Sequence, residues 1–195
     1  MNEEMSSNAA DLEAVQHVLR GDTEAFRNIV DKYRPVVLRI CRSYMKNAEE
    51  AEDAAQEVFL RAYKSLSNFK LEKKFVNWLY TIAVNHLKSR YAKIKKLEDH
   101  KETLAEEPEG PGRTPEEASV REELRQEIRK AVASLPGNLK EVTVLYYLEE
   151  MEVADISEVL DISRENVKSR LFRARKKMRQ ILEKVQPKED NTGIF

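Results

Sequence analysis

Few residue groupings in this chain could make or break bonds. Glu49, Glu50, Glu52, Asp53 and Glu57 gather carboxylates on one short stretch. A helical two-metal site pairs Glu with a His three residues on, and His17, His86 and His100 are scattered without that spacing. No Gly-rich phosphate loop is present. Cys41 is the sole cysteine, so there is no disulfide framework and no thiolate metal site. The sequence therefore points to no catalytic residue, no metal ligand and no cofactor. What it offers instead is recognition of charge. "DISRENVKSRLFRARKKMR" runs from Asp161 to Arg179 with eight cations: Arg164, Lys168, Arg170, Arg173, Arg175, Lys176, Lys177 and Arg179.

That stretch has a helical pattern. Val167, Leu171, Ala174, Met178 and Ile181 fall at i, i+4, i+7, i+11 and i+14, which is one buried stripe. Arg164, Lys168, Ser169, Phe172, Arg173 and Lys176 lie on the opposite side. Before it, "VADISEVL" offers Val153, Ile156, Val159 and Leu160 to the inside, and small Ala154 suits a close helix crossing. Asp161 stands where a left-handed turn residue is needed, and Asp tolerates that conformation. Ser163 is a good N-cap, and Glu165 suits the positive end of the helix dipole. The layout is a helix-turn-helix, whose second helix enters the major groove by its N-terminal part. There Arg and Lys can reach guanine edges, and Asn166 a base edge or a phosphate. The later cations would meet phosphates and position the helix. Phe172 either touches a thymine methyl or sugar or packs on the preceding helix.

A second grouping lies nearer the N-terminus. In "NAEEAEDAAQEVFLRAYKSLSNF", Ala54, Ala55, Val58, Phe59, Ala62 and Leu66 form a buried side. Asp53, Gln56, Glu57 and Leu60 share the other side at i, i+3, i+4 and i+7. That face is either solvated with one exposed leucine, which is common, or a contact face for a protein. Further on, Phe69, Phe75, Trp78, Tyr80 and Tyr91 lie among Lys70, Lys73, Lys74, Lys88, Arg90 and Lys93. Aromatics with basic neighbours suit single-stranded nucleic acid, and equally a small helical core; the two can share one edge of a domain.

The elements that must hold these residues read as helices throughout. Residues 11–20 form a short helix stopped by Gly21, and Asp22 or Thr23 caps the next. Pro35 should kink or end that helix, with helix continuing to about Lys46. Helices follow at 48–66 and 75–95, then at 116–134, through "NLKEVTVLYYLEE", at 153–160 and at 164–185. Between about Leu97 and Pro115 periodicity vanishes, and "EEPEGPGRTPEE" mixes prolines and glycines with acids, as a flexible linker does. The expected fold is all-α: two small helical domains, 12–95 and 120–186, joined by an acidic linker, 96–119.

Charge follows the same partition. The net charge of -1 conceals +7 over residues 21–96, -7 over 97–123 and +3 over 124–186. Two basic blocks around an acidic strip point to a polyanionic partner. No apolar run reaches the ~20 residues of a membrane span, so no direct membrane insertion is expected. The start, "MNEEMSSNAADLEAV", is too acidic and polar for a secretory signal, and a reducing cytoplasm fits the lone cysteine.

"GDTEAFRNIVDKYRPVV", "AEDAAQEVFLRAY", "FVNWLYTIAVN", "LPGNLKEVTVLYYLEEM" and "ENVKSRLFRARKKM", in that order and spacing, resemble a bacterial sigma factor of the extracytoplasmic-function group of the sigma-70 family. The resemblance spans about Leu12 to Gln186. It implies a region 2 helical bundle that binds core RNA polymerase at the β′ clamp helices through Asp53, Gln56, Glu57 and Leu60. It implies that the same bundle captures the single-stranded -10 element with Phe69, Lys70, Lys74, Phe75, Trp78 and Asn85. It implies a region 4 helix-turn-helix that reads double-stranded -35 DNA with Arg164, Asn166, Lys168, Ser169, Arg170, Phe172 and Arg173, and that meets the β flap. The linker resembles a segment threaded through the polymerase cleft. An anti-sigma factor as inhibitor, often membrane-tethered, and a bacterial cytoplasmic location are further implications. Two positions depart from the usual pattern: Glu165-Asn166 where many members have Gly-Thr, and Ser89 where many have Asp. The competing reading is a stand-alone helix-turn-helix regulator, for which no dimerisation helix is evident.

Overall fold

Helix-favouring composition without strand alternation gives helices, and the computed structural model bears this out. It describes residues 2–45, 47–98, 127–128 and 130–185, and every regular element among them is helical.

The first helix, α1, spans Asn2–Leu19. It begins well before the expected residue 11, because no breaker stands earlier and tertiary contacts anchor it. The Asn8 carboxamide accepts from the Phe75 N–H at 3.2 Å, and Asp11, only 4 % exposed, takes Lys32 and the Tyr33 hydroxyl. Gly21, at φ +103, closes the turn in a conformation that side chains rarely adopt.

α2 spans Ala25–Arg42. Neither Asp22 nor Thr23 takes its cap. Glu24 does, without a side-chain bond, while the Asp22 and Thr23 carbonyls accept from Ala25 and Phe26. Pro35 does not end the helix, which runs through it and stops at Arg42, short of Lys46. Pro35 is on the exposed side, and buried Tyr33, Val37, Leu38, Ile40 and Cys41 hold both halves on the core.

α3 spans Ala48–Ser65, and the Asn47 side chain caps it by accepting from the Glu50 N–H at 2.8 Å. A 3-10 turn, Leu66–Asn68, leads to α4, Phe75–Glu98, which continues past the expected end at 95. The linker expected at 96–119 lies outside the described residues apart from its first positions, which belong to α4, and so does most of the helix expected at 116–134.

In the second unit, helix over 130–133 gives way before Pro136, and α5, Gly137–Thr143, follows. "NLKEVTVLYYLEE" is not one α-helix. Val144–Leu148 forms a π turn, closed by Glu149 N–H to the Val144 carbonyl at 3.2 Å, with Glu150 at φ 52 beyond it. α6, Val153–Leu160, and α7, Arg164–Val185, begin and end where the sequence pattern puts them.

The two units share one apolar cluster. Val58, Phe75, Leu79 and Leu87 from the first join Val142, Leu145, Ile156 and Leu171 from the second, all at 2 % exposure or less. α4 packs against α6, a contact no sequence pattern announces.

Candidate nucleic-acid interface

Each side of the helix-turn-helix can be traced to its sequence. Asp161 has φ 52 and ψ 52, the left-handed turn between α6 and α7. The Ser163 hydroxyl accepts from the Asn166 N–H at 3.2 Å and fixes the first turn of α7. Val167, Leu171 and Ala174 are at most 2 % exposed, with Met178 and Ile181 half-buried. Arg164, Lys168, Ser169, Phe172 and Arg173 are therefore turned outward together. Phe172 is 67 % exposed, so it does not pack on the preceding helix. Asn166 and Arg170 sit at the border: both are half-buried, and the Arg170 Nε–H donates to the Asn166 Oδ1 at 3.1 Å. Farther along, the Arg175 Nε–H donates to the Tyr147 hydroxyl at 2.7 Å, tying α7 to the π turn.

On α3, Ala54, Ala55, Val58, Phe59 and Ala62 are buried. Asp53, Gln56 and Leu60 are exposed, Glu57 partly so, and Leu60 is 45 % exposed. Glu57 pairs with Arg61 at 2.7 Å. The four residues form one open face.

The aromatic–cationic edge divides by depth. Phe75 is 0 % and Phe69 6 % exposed; their rings stand 5.5 Å apart, edge to face, and both contact half-buried Trp78. In this conformation the two phenylalanines support the surface from beneath rather than present a face. Lys70, Lys74 and Asn85 are exposed.

Sequence reasoning passed over Asn77, which is 3 % exposed at the first turn of α4. Its carboxamide donates to Asp155 Oδ1 at 2.9 Å and to Glu158 Oε2 at 3.0 Å. Lys73 reaches Glu158 at 2.6 Å and Lys74 reaches Asp155 at 3.0 Å. The Lys73 hydrogen bond, followed by that of Asn77, holds the Glu158 carboxyl below its ordinary value. A polar residue on the inward side of an aromatic helix was the available signal. Elsewhere along the contact, Arg39 makes two hydrogen bonds to Glu149, at 2.8 and 2.9 Å. Glu141, 4 % exposed, lies 3.0 Å from the Lys88 ammonium, and burial raises its carboxyl pKa. No grouping of His, Cys, Asp and Glu able to hold a metal occurs among the described residues.

The comparisons agree with this architecture. Residues 29–97 match Sigma-70 region 2, and residues 125–178 match Sigma-70, region 4. The chain is 36 % identical over 181 residues to the ECF RNA polymerase sigma factor SigW of Bacillus subtilis, covering 86 % of this chain and 94 % of that one. It is 32 % identical to the ECF RNA polymerase sigma-E factor of Escherichia coli, covering 94 % and 98 %. Among solved structures, CnrH in complex with the cytosolic domain of CnrY superposes with a TM-score of 0.69 at 22 % identity, covering 91 % and 99 %. The sigma factor RpoE in complex with the anti-sigma factor NepR, from Bartonella quintana, gives 0.65 at 20 % identity, covering 81 % and 96 %. The chain belongs to the extracytoplasmic-function sigma factors of the sigma-70 family, non-enzymatic subunits that direct RNA polymerase to promoters.

Proposed function

We propose a division of labour within that family role. Residues 12–95 grip core polymerase and open the -10 element, residues 120–186 read the -35 element, and the acidic segment 96–119 joins them. Asp53, Gln56, Glu57 and Leu60 take the β′ clamp helices, and the second unit meets the β flap. Arg164, Asn166, Lys168, Ser169, Phe172 and Arg173 approach double-stranded -35 DNA, with Arg170 held at the margin by Asn166. Lys70, Lys74, Trp78 and Asn85 face single-stranded -10 DNA, with Phe69 and Phe75 as the floor beneath them. The observation that carries this reading is the outward alignment on α7 behind a capped, left-handed turn. Major-groove entry needs that geometry.

An anti-sigma factor is the proposed inhibitor, because the sigma factor RpoE of Bartonella quintana, whose fold superposes on this chain, was solved in complex with the anti-sigma factor NepR. Action beside RNA polymerase in the bacterial cytoplasm is part of this proposal. No helix among the described residues is long and apolar enough to cross a membrane.

Run-off transcription with core polymerase on a genomic library, with start sites sequenced, tests this. Lys168→Ala/Arg173→Ala should lose promoter selection while still binding core, and Leu60→Asp should lose core binding. A chain that binds a palindromic site tightly and is indifferent to core polymerase would instead be a stand-alone regulator.

A further inference from the structure

At the border of the outward face of α7, Asn166 carries a side chain whose reading of a base depends on which way it is turned. A carboxamide has an oxygen that accepts and an amino group that donates, on opposite sides of one carbon. Unconstrained, it pairs bidentately with adenine, accepting from N6 and donating to N7. In this chain it is constrained. The Arg170 Nε–H donates to the Asn166 Oδ1 at 3.1 Å. A guanidinium has donors and no acceptor, so only the oxygen can be turned to it. Long side chains on a helix lean back toward its N-terminus, so Arg170 reaches Asn166 from one turn farther along. The backbone beneath is fixed as well, because the Ser163 hydroxyl accepts from the Asn166 N–H at 3.2 Å and neighbouring Val167 is fully buried.

Arg170 is itself held. α5 packs against α7 and brings Glu141, which is 4 % exposed. Burial raises the Glu141 carboxyl pKa, and the Arg170 charge is among those that oppose the rise. Arg170 is half-buried, unlike the exposed Lys168 and Arg173. Serving an amide oxygen and a buried carboxylate, it is placed as a positioning residue more than as a phosphate contact.

We infer that Arg170 fixes Asn166 with its amino group toward the groove, so that this chain selects a keto base, guanine or thymine, over an amino base, adenine or cytosine, at one position of the -35 duplex. Guanine O6 and N7 and thymine O4 accept from such a group, whereas adenine N6 and cytosine N4 set a donor against it. The inference rests on the proposed entry of α7 into the major groove.

The test is selection of -35 sequences from a randomised duplex library by holoenzyme reconstituted with core polymerase, with base frequencies read by sequencing. Asn166→Ala identifies the position, as the one whose frequencies it flattens. There the wild type should favour keto bases about fivefold, the low end of what a full bidentate pair gives. Arg170→Met keeps the apolar stem and frees the carboxamide to turn, so that position should shift to adenine. Arg170→Lys, which restores a donor, should return it toward guanine or thymine. Asn166→Asp replaces the donor by an acceptor and should shift it to cytosine or adenine. A merely structural loss at Arg170 weakens binding to every sequence alike and moves no base frequency.

Adenine preferred by the wild type at that position, or Arg170→Met binding more weakly with its base preferences intact, would overturn the inference. So would Asn166→Ala leaving every frequency unchanged, since the side chain would then touch no base. In each of these outcomes selection at the other positions persists, and groove reading by α7 stands. A wild-type holoenzyme that enriches no -35 sequence at all overturns groove reading and this inference together.

Discussion

Phe75 shows how a residue type with two uses is decided by depth. Aromatics among lysines suit stacked bases and a core equally well. Phe75 has no exposed surface and contacts Tyr33, Phe69 and Trp78. Phe75→Ala should therefore lower unfolding stability by about 3–5 kcal/mol, read by urea denaturation. A variant of wild-type stability that fails only in promoter opening would contradict the core assignment. Cys41 is simpler. It is 0 % exposed, and burial pushes its thiol up to about 12, against the opposing charge of Arg90. A raised thiol pKa keeps the sulfur protonated and unreactive until pH approaches that value. At pH 8 only about one thiol in ten thousand would be ionised. An aromatic disulfide reagent should leave the native chain untouched and titrate one thiol after unfolding. Rapid labelling without unfolding would show that the site opens.

At the scale of the element, legibility followed punctuation. α6 and α7 were readable to the residue because Asp161 and Ser163 mark the turn and cap chemically, and the stripe from Val167 onward has an unambiguous period. Removing the cap by Ser163→Ala should cost about 1 kcal/mol and lower the melting temperature, while helical content stays nearly constant. An unchanged melting temperature would mean that the hydroxyl is replaceable by water.

The π turn at Val144–Leu148 was not readable. Its sequence, "VLYYL", is compatible with ordinary helix, and the wider turn depends on what Glu149, Tyr147 and Met151 bond to. Pro35 misled in the opposite direction, because local rules weigh the missing donor and not the buried residues that pin both flanks. Its position is exposed within a helix. Pro35→Ala should stabilise the chain by up to about 3 kcal/mol, seen as a higher denaturation midpoint. Destabilisation would indicate that the core is shaped to the proline.

At the scale of the whole molecule, the units were legible and their contact was not. Charge segregation and the loss of periodicity near Leu97 separate two helical blocks, and each block's inward stripe can be read alone. The pairs that join the blocks are Arg39 with Glu149, Lys73 with Glu158 and Asn77 with Asp155, separated by 110, 85 and 78 positions. No periodicity links residues so far apart, and exposed-looking charges read as solvated until a partner is seen. The Arg39–Glu149 pair tests whether this contact is a permanent part of the fold or a separable one. The Glu149 side chain is 2 % exposed and the Arg39 side chain 47 %. Removing a partner from a fully buried pair costs about 3–5 kcal/mol, and solvent on the Arg39 side reduces this to about 2 kcal/mol. A separable contact answers that cost by opening, which rehydrates Glu149. Arg39→Ala should then increase the radius of gyration and speed proteolysis between the units, with the melting of each unit little changed. A permanent contact cannot open, so the same variant would lower the melting temperature of the whole chain at constant radius.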